Sequence, residues 1–221
     1  IATTRTIQTP TIFLCDQYQS TAYLLMEYVE AKRPEKQDFI NLGQALAKLH
    51  QVTTDQFGWS ENNFIGSLPQ SNQLYNHWLD FYIEERLMPQ FELAQKRQLL
   101  SKKEIPTAKI LLQKGQHLFQ NIQPALLHGD LWSGNYLIDK NGMPYLIDPA
   151  AYFGHAEVDL AMTRLFGGFG PAFYNAYYEV NPPQIGESRR RQWYQLYYLL
   201  VHLNLFGGQY YQSVVRTLQN L

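Results

Sequence analysis

His128-Gly129-Asp130-Leu131-Trp132-Ser133-Gly134-Asn135, followed thirteen residues on by Asp148, is the stretch on which the reading of this chain turns. Directly after it come Tyr136-Leu137-Ile138-Asp139, then Lys140-Asn141-Gly142, then Met143-Pro144-Tyr145-Leu146-Ile147. Asn-Gly between apolar runs is the strongest short-range signal for a β-hairpin. With Asn141 and Gly142 as a two-residue turn, Asn135 and Asp148 face each other across the ladder. Pro144 lacks a backbone donor and loosens the pairing only near the turn.

That register brings an amide oxygen and a carboxylate to one end of the hairpin, with a second carboxylate, Asp130, on the loop leading in. Hard oxygen donors suit Mg²⁺, which takes one or two protein groups and completes its shell with water and phosphate oxygens. His-x-Asp-x-x-x-x-Asn with a later Asp is the spacing of a kinase catalytic loop and its metal-binding aspartate. On this reading Asp130 accepts or orients the proton of an attacking hydroxyl, while Asn135 and Asp148 hold Mg²⁺ on the phosphates of ATP. His128 ties the loop to residues near Asp148. Asp and Asn beside Gly are also ordinary turn formers, so the weight rests on the conjunction of offset, hairpin and distal carboxylate.

Working outward, Thr9–Leu14 and Thr21–Met26 are predicted strands of a hairpin with Asp16–Ser20 as its loop. After Pro34, Phe39, Leu42, Leu46 and Leu49 recur at helical spacing. Further helices are predicted over about 72–96, with a kink or division at Pro89, over about 107–120, and in three or four stretches from Glu157 onward, the longest spanning about Glu187–Phe206. The fold class is α+β: a small β portion over 1–30, then a helical lobe over 31–221 interrupted by the catalytic hairpin.

The totals are compatible with one sizeable core. The chain has 221 residues, 45% of them hydrophobic, and a net charge of −1. No basic excess favours nucleic acid or an anionic membrane surface. Cys15 is the single cysteine, which rules out an intrachain disulfide and makes a reducing cytoplasm the expected setting. No apolar run approaches the roughly 20 residues of a membrane span.

The string from His128 to Asn135, then Asp148-Pro149-Ala150, Tyr152-Phe153-Gly154-His155, Glu157-Val158-Asp159-Leu160-Ala161-Met162, Leu165-Phe166-Gly167-Gly168-Phe169 and Tyr197–Gly207, resembles the fructosamine (ketosamine) kinase family. The resemblance covers most of the chain. It implies the protein-kinase-like fold, shared with aminoglycoside and choline kinases, and ATP-dependent phosphorylation of a sugar hydroxyl on a fructosamine or ribulosamine. Met26-Glu27-Tyr28-Val29 matches the family's hinge, with backbone groups of Glu27 and Val29 on the adenine edge. Asp159 matches an aspartate that accepts backbone hydrogen bonds from the catalytic loop. Trp132 would stack on a sugar face or pack in the core. His155 and Glu157 would reach the substrate or, for Glu157, cap the following helix.

Ten residues separate Asp148 from Asp159, too few for the long segment on which a protein kinase lays a peptide, so a small acceptor is expected. A kinase of this kind also needs a glycine-rich loop and a strand lysine paired with a helical glutamate. No glycine precedes the hinge, and Lys32 and Lys36 follow it. The expectation is therefore a truncated or degenerate small lobe, with weakened ATP binding and turnover if nothing precedes Ile1. Competing readings are a kinase for another small alcohol, such as choline or an aminoglycoside, and a non-catalytic binding module that keeps the fold.

Overall fold

The computed structural model describes residues 1–221. Strands β1 (Ile12–Tyr18) and β2 (Thr21–Met26) form an antiparallel hairpin, exposed along both strands. Its loop is shorter than the sequence suggests. Tyr18 pairs with Thr21 and the Tyr23 hydroxyl donates to Asp16, so Asp16, Gln17 and Tyr18 extend the ladder and only Gln19 and Ser20 turn. The chain then crosses to the helical lobe, where Ala31 bridges Asp139 and the Lys32 N–H donates to the Ile138 carbonyl at 2.8 Å.

Helix α1 (Lys36–Leu49) opens with a capping box: the Glu35 side chain accepts from the Asp38 N–H, and the Glu35 N–H donates to Asp38 at 2.9 Å. Its apolar face, with Leu42, Leu46 and Leu49, is buried as the spacing requires. The stretch expected over 72–96 is α2 (Trp78–Phe81), a π-helical segment (Tyr82–Leu87) and α3 (Met88–Lys96). Pro89 sits in the first turn of α3, so the division falls where the proline predicts and takes the form of a change in helix type. Helix α4 (Ala108–Gly115) follows, then α5 (Glu157–Leu165), α6 (Pro171–Val180), α7 (Glu187–Phe206) and α8 (Tyr211–Gln219). The larger core is aromatic, centred on Trp78, Phe81, Tyr82, Trp193, Tyr194 and Tyr197. Two of its polar tips pair within it: Tyr82 donates to the Trp193 carbonyl and the Trp78 indole N–H to the Tyr194 hydroxyl.

Three further strand pairs punctuate the helices. β3 (Asn63–Ile65) pairs with β4 (Leu68–Gln70), β5 (Ala125–Leu127) with β8 (Tyr152–Gly154), and β6 (Tyr136–Ile138) with β7 (Pro144–Leu146), all antiparallel. The β6–β7 hairpin is where expected, but its register is one residue away. Tyr136 pairs with Leu146 and Leu137 with Tyr145, so Asn135 meets Ile147, whose N–H donates to its carbonyl at 3.1 Å. The cause is Asp139. Its side chain accepts from the N–H groups of Asn141 and Met143 and closes a three-residue turn, Lys140-Asn141-Gly142, with Gly142 at φ 82°. Asp148 therefore lies just beyond the ladder, in the left-handed region at φ 51°.

Helices α1 and α6 approach to backbone contact at Gly43, where an added Cβ would fall 2.3 Å from the Phe173 carbonyl oxygen. Ala ordinarily stabilises a helix interior by about 1 kcal/mol over Gly. Here overpacking reverses the sign: Gly43→Ala is expected to lower stability by about 1–3 kcal/mol in chemical denaturation.

Candidate active site

The site is made by two loops that one small sheet holds together. β5 delivers the chain into residues 128–135, β7 delivers it into 147–151, and β8 pairs back onto β5. Between the loops the Ala150 N–H donates to the His128 carbonyl at 2.9 Å. The approach is so close that a Cβ on Gly129 (φ 83°) would lie 2.1 Å from the Ala150 carbonyl oxygen, so this position requires glycine on both counts.

Asp159, in the first turn of α5, anchors the first loop. Its fully buried carboxylate accepts from the N–H of His128 at 2.8 Å, from the N–H of Gly129 at 2.9 Å and from His50 Nε2 at 3.1 Å. Burial alone would raise its pKa. The His50 hydrogen bond and charge, His128 and the Gly129 N–H outweigh that, and the carboxyl lies below its usual value. His50, which closes α1, is held from behind by the Tyr177 hydroxyl at 2.8 Å. His128 donates through Nε2 to the Ile147 carbonyl at 2.8 Å and accepts at Nδ1 from the Asp130 N–H at 3.2 Å. Those partners fix the neutral tautomer with its proton on Nε2, in keeping with a pKa lowered by burial. The Tyr198 hydroxyl of α7 completes the frame by donating to the Gly129 carbonyl.

Within this frame Asp130, Asn135 and Asp148 converge. Asn135 Nδ2 donates to the Asp130 carbonyl at 2.8 Å, and reaches the Asp130 carboxylate at 3.4 Å and the Asp148 carbonyl at 3.5 Å. Asn135 is thereby oriented with its amide oxygen free of protein donors, and the exposed Asp148 carboxylate has no hydrogen bond or ion pair within the chain. Two hard oxygen donors, on residues that meet through the Asn135 amide and the Asp148 carbonyl and both free of protein donors, fit Mg²⁺. No group of three or more His, Cys, Asp or Glu forms a complete protein cage. Asp130 is pushed up to about 6, first by burial and then by the charge of Asp159, with Asp148 adding and the Asn135 hydrogen bond opposing.

The remaining sequence candidates divide. Trp132 is 42% exposed beside Asp130, its indole lying over Gly134, where a Cβ would come within 2.3 Å of the ring. At Met26–Val29 the Glu27 N–H is used by the Thr11 carbonyl, while the Glu27 carbonyl and the Val29 N–H have no partner in the chain. They border a shallow recess of about 190 Å³ together with Asp139 and Tyr145. His155 and Glu157 are not brought to the Asp130 group. Both are buried, His155 against the Tyr194 hydroxyl with its pKa lowered to about 3 by burial, and Glu157 in an ion pair with Arg190. Glu157 opens α5, the helix-terminus position foreseen as its alternative role. His50 and Tyr198 were absent from the sequence candidates, because contacts spanning 109 and 69 residues leave no local signal.

Hairpin, anchored loop and surrounding helices together define a protein-kinase-like phosphotransferase. An aminoglycoside phosphotransferase solved with AMP-PNP and hygromycin B superposes on 98% of this chain with a TM-score of 0.59 at 18% identity, which speaks for the fold alone. The fructosamine kinase family profile matches residues 1–221, and the chain belongs to that family. A Synechocystis protein assigned as a ketoamine kinase is 41% identical over 222 residues, covering 99% of this chain and 74% of its own length. The protein-ribulosamine 3-kinase of Arabidopsis thaliana is 41% identical over 217 residues, covering 96% of this chain and 66% of its own. A Thermobifida fusca crystal structure, assigned as a fructosamine-3-kinase, gives a TM-score of 0.85 at 34% identity over 96% of this chain and 72% of its own.

Two outcomes are expected from this geometry. In a carboxyl ¹³C NMR titration of the nucleotide-free chain, Asp130 titrates with a midpoint of about 6. In Asp148→Asn the midpoint falls, because a like charge that disfavours ionisation is gone. Asp159→Ala strands two backbone donors and His50, and costs about 3–5 kcal/mol at pH 7, read by urea unfolding. Because the Asp159 pKa is depressed in the fold, its contribution is present above the unfolded carboxyl pKa and is lost as pH falls through the folded one. The wild-type and variant curves therefore converge in acid.

Proposed function

We propose that the chain phosphorylates a sugar hydroxyl of a small ketosamine, a fructosamine or ribulosamine, with ATP as donor, in the manner named for its ketosamine-3-kinase relatives. The observation that carries the reading is the convergence of Asp130 with the open oxygens of Asn135 and Asp148, in a chain matched along its whole length by the fructosamine kinase family.

The hydroxyl oxygen attacks the γ-phosphorus, its proton passes to Asp130, and ADP leaves. Asp130 is suited to this: an elevated pKa makes it a better proton acceptor than an ordinary carboxylate while it remains largely ionised at neutral pH. Asn135 and Asp148 would hold Mg²⁺, which when bound neutralises charge on the phosphates. His128 and Asp159 keep the loop in place for both groups. Residues 1–30 serve as the nucleotide side and hinge, with the Glu27 carbonyl and Val29 N–H free for the adenine edge, and 31–221 as the helical lobe. Trp132 offers a flat, half-exposed indole for the sugar face. A small acceptor is supported by the path after Asp148, where β8 and the start of α5 take up the chain and leave no peptide-binding segment.

The test is a phosphorylation assay across a fructosamine, a ribulosamine, choline and an aminoglycoside, with Asp130→Ala as control. Phosphate transfer to the two ketosamines is expected, reduced at least 100-fold in the control. Transfer to choline or the aminoglycoside without transfer to either ketosamine would refute the substrate assignment.

A further inference from the structure

The short β3–β4 hairpin lies outside the catalytic loops, yet its polar side chains end on them. Asn63 Nδ2 donates to the Ala151 carbonyl at 2.8 Å. Its cross-strand partner Gln70, buried, donates from Nε2 to Asn63 Oδ1 at 2.8 Å and to the Ala150 carbonyl at 3.3 Å, while its Oε1 accepts from the Tyr197 hydroxyl at 2.6 Å. Asn63 Oδ1 accepts a second bond from Asn72 Nδ2 at 3.0 Å, and Asn72 Oδ1 accepts from the buried Arg86 guanidinium at 2.6 Å. Arg86 has no carboxylate partner; carbonyls of Ser71 and Glu85 and the faces of Phe81 and Tyr152 surround it.

The array terminates on the two residues that follow Asp148-Pro149. Ala150 is held from both sides, its N–H by the His128 carbonyl and its carbonyl by Gln70. Asp148 itself, at φ 51°, makes no hydrogen bond or ion pair through its own side chain, and its carbonyl is reached only by the Asn135 amide at 3.5 Å. A non-glycine residue in a sparsely populated backbone region persists only where the surroundings over-determine it. Here the constraint comes from behind, through Ala150 and Ala151.

From this arrangement we infer that Asn63 and Gln70 are positioning residues for Asp148: their amide donors to Ala151 and Ala150 set the backbone that aims the Asp148 carboxylate at the metal-nucleotide. The inference rests on the role proposed above for Asp148. Neighbours that orient a metal ligand typically contribute 10- to 100-fold in metal affinity. Asn63→Asp is the informative variant, since it keeps the oxygen that Gln70 and Asn72 use and replaces the donor to Ala151 by a carboxylate oxygen that the Ala151 carbonyl repels. Gln70→Glu keeps an acceptor for Tyr197 and removes the donor to Ala150 together with the donor to Asn63.

The experiment uses two readouts on each variant: hydrogen exchange of the peptide spanning residues 147–153 without nucleotide, and Mn²⁺ binding in the presence of ATP by electron paramagnetic resonance. Exchange of that peptide is expected to quicken about tenfold, and Mn²⁺-ATP binding to weaken by about tenfold or more, with exchange in α1, α6 and α7 unchanged. Should Asn63→Asp not fold, Gln70→Glu decides on the same criteria. Unchanged exchange and Mn²⁺ binding in a folded variant, or a uniform rise in exchange over the whole lobe, would overturn the inference. If the wild-type chain binds no Mn²⁺-ATP, the functional reading fails, and the exchange measurement still decides whether these amides hold the loop.

Discussion

One buried carboxylate organises this molecule. Asp159 takes two backbone N–H groups of the catalytic loop and the His50 ring in a fully buried setting. A charge in such a place is tolerated only when its oxygens are saturated with donors, so the demand runs outward: α5 must present Asp159, α1 must end at His50, and α6 must supply Tyr177 behind it. The loop's conformation follows from that demand. His128 is left with one proton and two assigned partners, Gly129 is forced against Ala150, and Asp130 comes out of the turn beside Asn135.

The same charge has an electrostatic effect on the chemistry. Asp159 is a principal cause, after burial, of the elevated Asp130 pKa. The group that fixes the loop thus also tunes the proposed base, and the two effects cannot be separated by moving one residue. Asn135 works against the elevation through its hydrogen bond while its own amide oxygen accepts from no protein donor.

What the sequence made legible was whatever repeats or turns by local rule. Leu42, Leu46 and Leu49 declared α1 by spacing, Asn141-Gly142 declared a hairpin, and Pro89 marked the change of helix type. The register escaped because it depended on the side chain of Asp139, which adds a residue to the turn. β5 and β8 were hidden by their length: three apolar residues have no period to distinguish strand from helix. β3–β4 was signalled by Gly66-Ser67 between Ile65 and Leu68, a recognised two-residue turn pair, with strands too short to draw attention to it. His50 offered nothing local, since its partner is more than a hundred residues away.

The π-helical segment at Tyr82–Leu87 has a consequence for how this chain tolerates insertions and deletions. It buries Tyr82, Ile83, Glu85, Arg86 and Leu87, a wider inward row than an α-helical stripe provides. A π bulge absorbs about one residue more than α geometry over the same rise. Losing a single residue here would therefore leave α2 and α3 facing as they do, and the helix would look intact by its ends. The loss would fall on the inward row, where Arg86 is the residue that reaches Ser71 and Asn72. A length change in a helix far along the sequence from Asp148 would be felt in the segment that carries it.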